Sequence, residues 1–493
     1  MNKVAVGAAA LVVVAGGGVG FAAWSGGKVS SELQSQTAAL LAPFPGLKLV
    51  ENSVSKGLFS STHTVTIEAG CGLDDAAEAA TDGGPAKPVQ ITWRNHVRHG
   101  PLPGGRGVGL ATIDTEIVLP PTVAAQLARI YGDQPVVTVH TALGFGGTYV
   151  TDVTSPPVKH AEAGKGDIDW QGLKATVRGS LTGGVAAGGS YTFEAPGLNV
   201  NFAPQGQAPR ALRVGRMTMQ GDVTPQPDAS LLFAPGRSQG AVDSIVLAMA
   251  PQAGGKAMDV RFEKLEFNSD AKSDGQGLWS AVGKLGMKGS VGDFPIEKID
   301  MQVSLNRLHG ATYEQMVRRA MQSPPFTCHK PGGEAMMREA DALSADMQKD
   351  LAALLVHNPE YALDHLTIRL GGKVAELSYR VGTKGVTAAD AALPLPAMLA
   401  TKAYGSAGVK VENGWLEQVV KKAVSIKADA TGAPADEAMA QTMAMINGVL
   451  DGIVAQGYLT REGEALVSKA EFEGGMLKVN GKPLNMPPGL MGK

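Results

Sequence analysis

The densest group of side chains able to move protons or hold a metal lies at residues 95–99, where Asn95, His96, Arg98 and His99 crowd together. Two imidazoles can ligate a metal ion only with a further ligand and a shared direction. On an extended strand, residues three apart project to opposite faces, so His96 and His99 diverge unless the Gly100-Pro101 turn intervenes. His99 reads instead as a hydrogen-bonding residue that fixes that turn or an edge strand. Ser60 and Ser61 follow Phe59, yet no G-x-S-x-G elbow frames them and the sequence orders no Asp and His beside them. Cys328-His329 sets a thiol next to a base, but sequence neighbours rarely meet in reactive geometry. Glycine runs at 144–147 and 183–189 lack the Lys-Ser/Thr ending and the strand-to-helix setting of phosphate loops. No catalytic residue, metal ligand or cofactor is expected, and the chain does not read as an enzyme.

Cys71 and Cys328 are the only cysteines, without a CxxC pair or a haem-attachment motif. In an oxidising compartment they can pair across a very long loop, adding about 2–5 kcal/mol, or they can remain two buried thiols. The formal net charge is -2 and no long basic run occurs, which argues against a nucleic-acid partner. Sparse aromatics argue against a carbohydrate platform.

The elements that must position these residues begin after an uncharged stretch at 4–24, bracketed by Lys3 and Lys28. At about 1.5 Å per residue it crosses a hydrocarbon core of roughly 30 Å as a helix. Gly20 and Ala22 also suit a signal-peptidase site, so an uncleaved anchor and a cleaved signal both fit, with length favouring the anchor. Lys3 favours a cytoplasmic start, which puts the bulk of the chain on the far side. Gly16 and Gly20 have the small-xxx-small spacing of pairing membrane helices, although a Gly-rich segment carries such pairs as filler. The expected organisation is an anchor or signal at 1–28, a β-rich body at 29–310, and helices with closing hairpins at 311–493 packed on the same sheet.

Beyond a short helix expected at 29–41, period-two alternation marks strands at 62–67, 89–93, 111–117 and 135–141. It recurs at 173–181, 190–202, 212–220, 244–249, 258–267 and 296–305, with turn-rich connections and no helices between. Such spacing favours an antiparallel meander over a parallel doubly wound sheet. Helical periodicity follows at 312–322 and 334–355, and again at 415–426 and 435–455, with a proline-interrupted helix starting at 388. A hairpin at 366–381 turns on Gly371-Gly372, and another closes the chain through Asn480-Gly481. The fold class is therefore α+β: an elongated, curved antiparallel sheet, amphipathic helices covering it in the C-terminal half, and one N-terminal membrane helix. Met316, Met321, Met336, Met337, Met439, Met443 and Met445 either pack on that sheet or line a groove for an acyl chain.

Three short elements add a resemblance. Gly57-Leu58-Phe59-Ser60-Ser61 leads into a strand, His99-Gly100-Pro101-Leu102-Pro103 closes one, and Gln456-Gly457-Tyr458-Leu459 precedes a terminal hairpin ending in Asn480-Gly481-Lys482-Pro483-Leu484. In this order after an apolar start, they resemble the YdgA-like family of Gram-negative bacteria, whose domain has no assigned function. The Ala- and Gly-rich stretch from Cys71 to Pro88 departs from that pattern. The resemblance implies a periplasmic protein anchored in the inner membrane by a single pass, and carries over no catalytic residue. A looser likeness to lipid-transporting bridge proteins concerns fold alone. Two roles stand open. One is binding or transfer of lipid or another apolar ligand, and the other is an envelope scaffold that meets a protein partner or a second copy.

Overall fold

The computed structural model describes residues 47–57, 60–71, 88–99, 108–182, 185–202, 210–224, 234–249, 258–321, 333–431 and 435–484, with Gln34, Thr37, Ala38, Leu41 and Phe44. The expected N-terminal span and Cys328 lie outside these residues.

One sheet of 24 strands organises the described chain, and every pairing in it is antiparallel. Strands β1 (Leu47–Lys56), β2 (Ser60–Cys71), β3 (Pro88–His99), β4 (Ala111–Val118), β5 (Thr138–Leu143) and β6 (Thr148–Ser155) form a meander. Next come β7 (Val158–Glu162), β8 (Gly166–Trp170), β9 (Leu173–Thr182), β10 (Val185–Ala195), β11 (Leu198–Phe202), β12 (Arg210–Val214) and β13 (Met217–Val223). The long strands β14 (Gly236–Met249), β15 (Met258–Ser273), β16 (Leu278–Val291) and β17 (Phe294–His309) carry the sheet onward. It ends in β18 (Glu360–Leu370), β19 (Lys373–Thr383), β20 (Ala403–Glu412), β21 (Thr460–Glu462), β22 (Ala465–Glu473), β23 (Met476–Val479) and β24 (Lys482–Leu484). The architecture is α+β, mostly antiparallel sheet.

Six α-helices accompany the sheet among the described residues: α1 (Pro121–Tyr131), α2 (Gly310–Ala320), α3 (Gly333–Leu355), α4 (Leu395–Lys402), α5 (Trp415–Thr431) and α6 (Ala435–Gln456). Among the early strands, where the alternation predicts no helix, α1 interrupts the meander. Pro121 occupies its first turn and Gly132, at φ 62°, ends it. Strand β20 lies in a stretch too rich in Ala and Gly to alternate visibly. Helices α2 and α3 pair, tied by Arg319 to Asp346 at 2.8 Å and to Asp350 at 2.7 Å, and bury Leu354 against Trp279 and Leu308. Helix α5 rests on β18, β19 and β20, and α6 on α5.

A crease crosses the middle of the sheet. It runs through Pro156-Pro157 between β6 and β7, Gln171-Gly172 between β8 and β9, and Pro196-Gly197 between β10 and β11. It continues through Gly215-Arg216 between β12 and β13, Asp243 in β14, and Lys264 in β15, whose φ is 51°. At each crossing, the positions that share a face are three residues apart (Ala195 to Leu198, Val214 to Met217, Val242 to Ile245) where the pleat needs two. One extra residue per strand is the signature of a bulge, which bends the strand while keeping its side chains on the same face. Backbone bonds cross the seam, Gly215 N–H to Ser244 O at 2.8 Å and Asp243 N–H to Arg216 O at 2.9 Å.

A candidate apolar binding face

Sheet register divides the two faces by chemistry. Ser55, Thr62, His96, Asp114, His140, Asp152, Thr176, Thr192, Gln220, Gln239, Asn268, Lys284, Gln302 and His365 stand opposite one another on successive strands, a polar row across most of the sheet. Polar contacts knit it: Arg98 pairs with Asp114 at 3.1 Å, and His140 and His96 hydrogen-bond Asp114 at 2.7 Å and Glu116 at 3.4 Å. Two adjoining open depressions, of about 570 and 700 Å³, are bounded by residues of this row such as Thr192, Gln220, Gln239 and Asn268.

The opposite face is apolar and carries three different environments. From β2 to β6 it is buried: Val65, Ile67, Trp93, Val97, Ile113, Val139, Leu143 and Val153 form the core. Toward the end of the sheet, the helices supply cover. Between these regions, below the crease, the described residues leave the face half-exposed.

Below the crease, Val158, Trp170, Leu198, Val214, Ile245, Phe262, Gly289 and Ile296 face one another on eight consecutive strands. A second row, two residues on, reads His160, Ile168, Val200, Leu212, Leu247, Val260, Val291 and Phe294. None of these side chains is fully buried, and Leu247, near the centre, is 41% exposed. Among the described helices, α1 packs at β7, and none packs broadly on β8 to β15. The reverse side of this arm is polar, with Lys159 bound to Asp169 at 3.1 Å and Asn201 donating to Asp167 at 2.8 Å.

On the apolar side of the sheet, aromatic rings stand across from glycines both above and below the crease. Tyr149 stands opposite Gly179, Tyr191 opposite Gly221, Phe267 opposite Gly240 and Phe262 opposite Gly289, whereas Tyr404, opposite Gly382, lies on the polar side and donates to Glu360. A methyl group added at Gly179 or Gly221 would meet the facing tyrosine Oη at 2.6 Å, so each ring leans into the space its partner leaves open. Ring over glycine is the cross-strand pairing that lets a single-layer sheet hide apolar area without a second layer. The Trp170 indole N–H reaches Ser155 Oγ at 3.0 Å and pins the ring across the crease.

Buried on the apolar side of β1 to β4 is a polar chain. His63 is 1% exposed. Its Nε2 lies 2.8 Å from Asn52 Oδ1, its Nδ1 is 3.3 Å from Asn95 Nδ2, and Thr115 donates to Asn95 Oδ1 at 2.7 Å. Asn52 Nδ2 donates to the Gln34 carbonyl at 2.8 Å, which turns its Oδ1 to His63 and assigns the proton to Nε2. Burial pushes the His63 imidazole down to about 4. The chain fixes the register of four strands.

His96 and His99 do point to opposite faces: His96 is exposed beside Glu116, whereas His99 turns inward, its Nε2 3.0 Å from Ser61 Oγ. Burial also lowers the His99 pKa. The G-x-F-S-S and H-G-P elements thus meet in space through Ser61 and His99. Gly57 N–H bonds Ser60 O at 2.7 Å in the turn before β2, and Ser60 is exposed. Phe59, Gly100 and Pro101 lie outside the described residues; Cys71 ends β2 opposite Pro88. Among the described residues no group of three or more His, Cys, Asp or Glu gathers as metal ligands. Five of the eight strands that carry the apolar rows fall in stretches whose alternation marks them as extended, while β7, β8 and β16 do not; and alternation gives no pairing partner, and so no face.

The molecule is thus an α+β protein built on one creased antiparallel sheet, with an open apolar arm as its most distinctive surface. The chain belongs to the bacterial family of unknown function DUF945, whose model matches residues 1–487. No curated protein and no solved structure matches it.

Proposed function

We propose that this protein binds lipid or another elongated apolar molecule along the apolar arm below the crease, from a position anchored at the inner membrane with its bulk in the periplasm. The observation that carries the reading is the pair of apolar rows on eight strands, left half-exposed where the same face is buried further along the sheet. An exposed contiguous apolar patch of this extent marks a binding surface in a soluble domain. The binding is non-covalent and asks nothing of a catalytic residue. The uncharged stretch at 4–24 supplies the anchor in this reading.

Native mass spectrometry of the full chain extracted from membranes tests it. The wild type is expected to carry lipid, and Leu247→Asp to lose it. Leu247 is 41% exposed, so the substitution should cost about 1–2 kcal/mol, which leaves the variant folded for the measurement. A wild type free of lipid, or a variant that keeps it, overturns the reading. A second reading, an envelope scaffold, draws on α6. Its segment Asp436–Gln456 has mean hydropathy 1.2, long and apolar enough to cross a membrane, and none of it is buried. Met445 and Val449 stand 66% and 58% exposed there, as a partner-facing helix would hold them.

A further inference from the structure

We propose that the molecule held on the apolar arm is an anionic amphiphile, its acyl chain lying across the apolar rows and its carboxylate or phosphate head group bound by Arg210. The inference rests on the apolar-binding reading above and adds the ligand's charge and orientation. Arg210 opens β12 and shares a face with Leu212 and Val214, two and four residues on. Its partners across the sheet are Phe202 on β11 and Met249 on β14, so a cation stands at the rim of an apolar surface, between an aromatic ring and a thioether. The side chain is exposed, and no ion pair engages it among the described residues. On the reverse side of the arm Lys159 is matched with Asp169 and Arg261 with Glu263, while Arg213 stands exposed among the polar side chains there rather than beside apolar ones.

Geometry fits an acyl chain that starts at this point. Strands lie about 4.8 Å apart, so from β12 the rows extend roughly 19 Å to β17 and about 14 Å to β7. One leaflet of a bilayer's hydrocarbon core is about 15 Å thick, which is the reach of one acyl chain. A chain whose head group sits at Arg210 therefore finds apolar side chains along its length in either direction. Guanidinium offers a planar fork that matches carboxylate and phosphate oxygens, and a weakly hydrated cation beside apolar groups binds such anions more firmly than an ammonium would.

Fluorescence binding of cis-parinaric acid and its methyl ester to the full chain tests this, with lysophosphatidic acid and monoacylglycerol as competitors. Wild type should bind the acid at least about tenfold more tightly than the ester, and Arg210→Gln should remove that difference while leaving ester binding unchanged. Displacement by lysophosphatidic acid alone assigns the head group as phosphate, and displacement by added fatty acid alone assigns it as carboxylate; either supports the proposal. Equal affinity for acid and ester in the wild type, or a selectivity that survives in Arg210→Gln, overturns the head-group assignment and leaves the apolar reading standing. Failure of both probes to bind overturns the apolar reading itself. Sedimentation that shows a dimer abolished by Leu247→Asp, with no probe bound, overturns both and makes the arm an interface between two copies.

Discussion

At the scale of single residues, the buried His63 chain couples the fold to pH. In the unfolded chain the imidazole titrates near its ordinary 6.5, and in the fold at about 4. Between those values the unfolded chain holds the extra proton, so acid favours unfolding. The stabilisation is complete above pH about 6.5 and is lost as pH falls toward about 4, roughly 3 kcal/mol in all. Urea denaturation at pH about 7 and about 4.5 should show this drop, and His63→Gln should lose the part of it that other groups do not supply. An unchanged drop in the variant would place the acid sensitivity elsewhere. Asn95 serves the same chain from the next strand. Asn95→Ala strands both His63 Nδ1 and the Thr115 hydroxyl in a dry interior, and is expected to cost about 2–3 kcal/mol in equilibrium unfolding. A loss below about 1 kcal/mol would show the two groups finding other partners.

At the scale of elements, the crease decides what the strands present. Gly172 sits in it with φ at 89°, and a methyl group there would lie 2.8 Å from the Ser155 carbonyl oxygen. Gly164, in the turn between β7 and β8, has a similar φ of 75° but open space around it. Gly172→Ala should therefore cost about 1–3 kcal/mol more than Gly164→Ala, the excess measuring the close packing at the bend. Equal costs would mean that the seam yields freely. The same element explains what the sequence disclosed. Individual strands were legible because alternation is local, and residues 190–202 and 212–220 were each readable as extended. Alternation reads both stretches as unbroken, and only the pairing shows that Pro196-Gly197 and Gly215-Arg216 interrupt them and align into one seam with Gly172 and Asp243. Helix α1 was missed although Pro121 and Gly132 mark its ends, because Ala124 and Ala125 dilute the apolar spacing.

At the scale of the whole molecule, one amphipathic sheet buries its apolar face at β2 to β6, with Leu41 packed on it, meets helices at β16 to β20, and among the described residues stays half-exposed below the crease. Chain segments distant in sequence supply neighbouring rows, so a surface built this way cannot be found by scanning for an apolar run. Val158 and Ile296 end the same row, yet nothing between them in sequence marks the connection. This division predicts where a ligand acts. A bound apolar chain adds the missing layer only to the open arm, so backbone hydrogen exchange should slow in β8, β11, β12 and the lower half of β14. Exchange in β2 to β4, whose apolar side is already buried, should stay unchanged. Cis-parinaric acid on the full chain provides the measurement. Protection confined to the open arm fits an added layer over uncovered strands, whereas protection spread evenly over the sheet would mean that the ligand stabilises the fold globally and that the arm is not its seat.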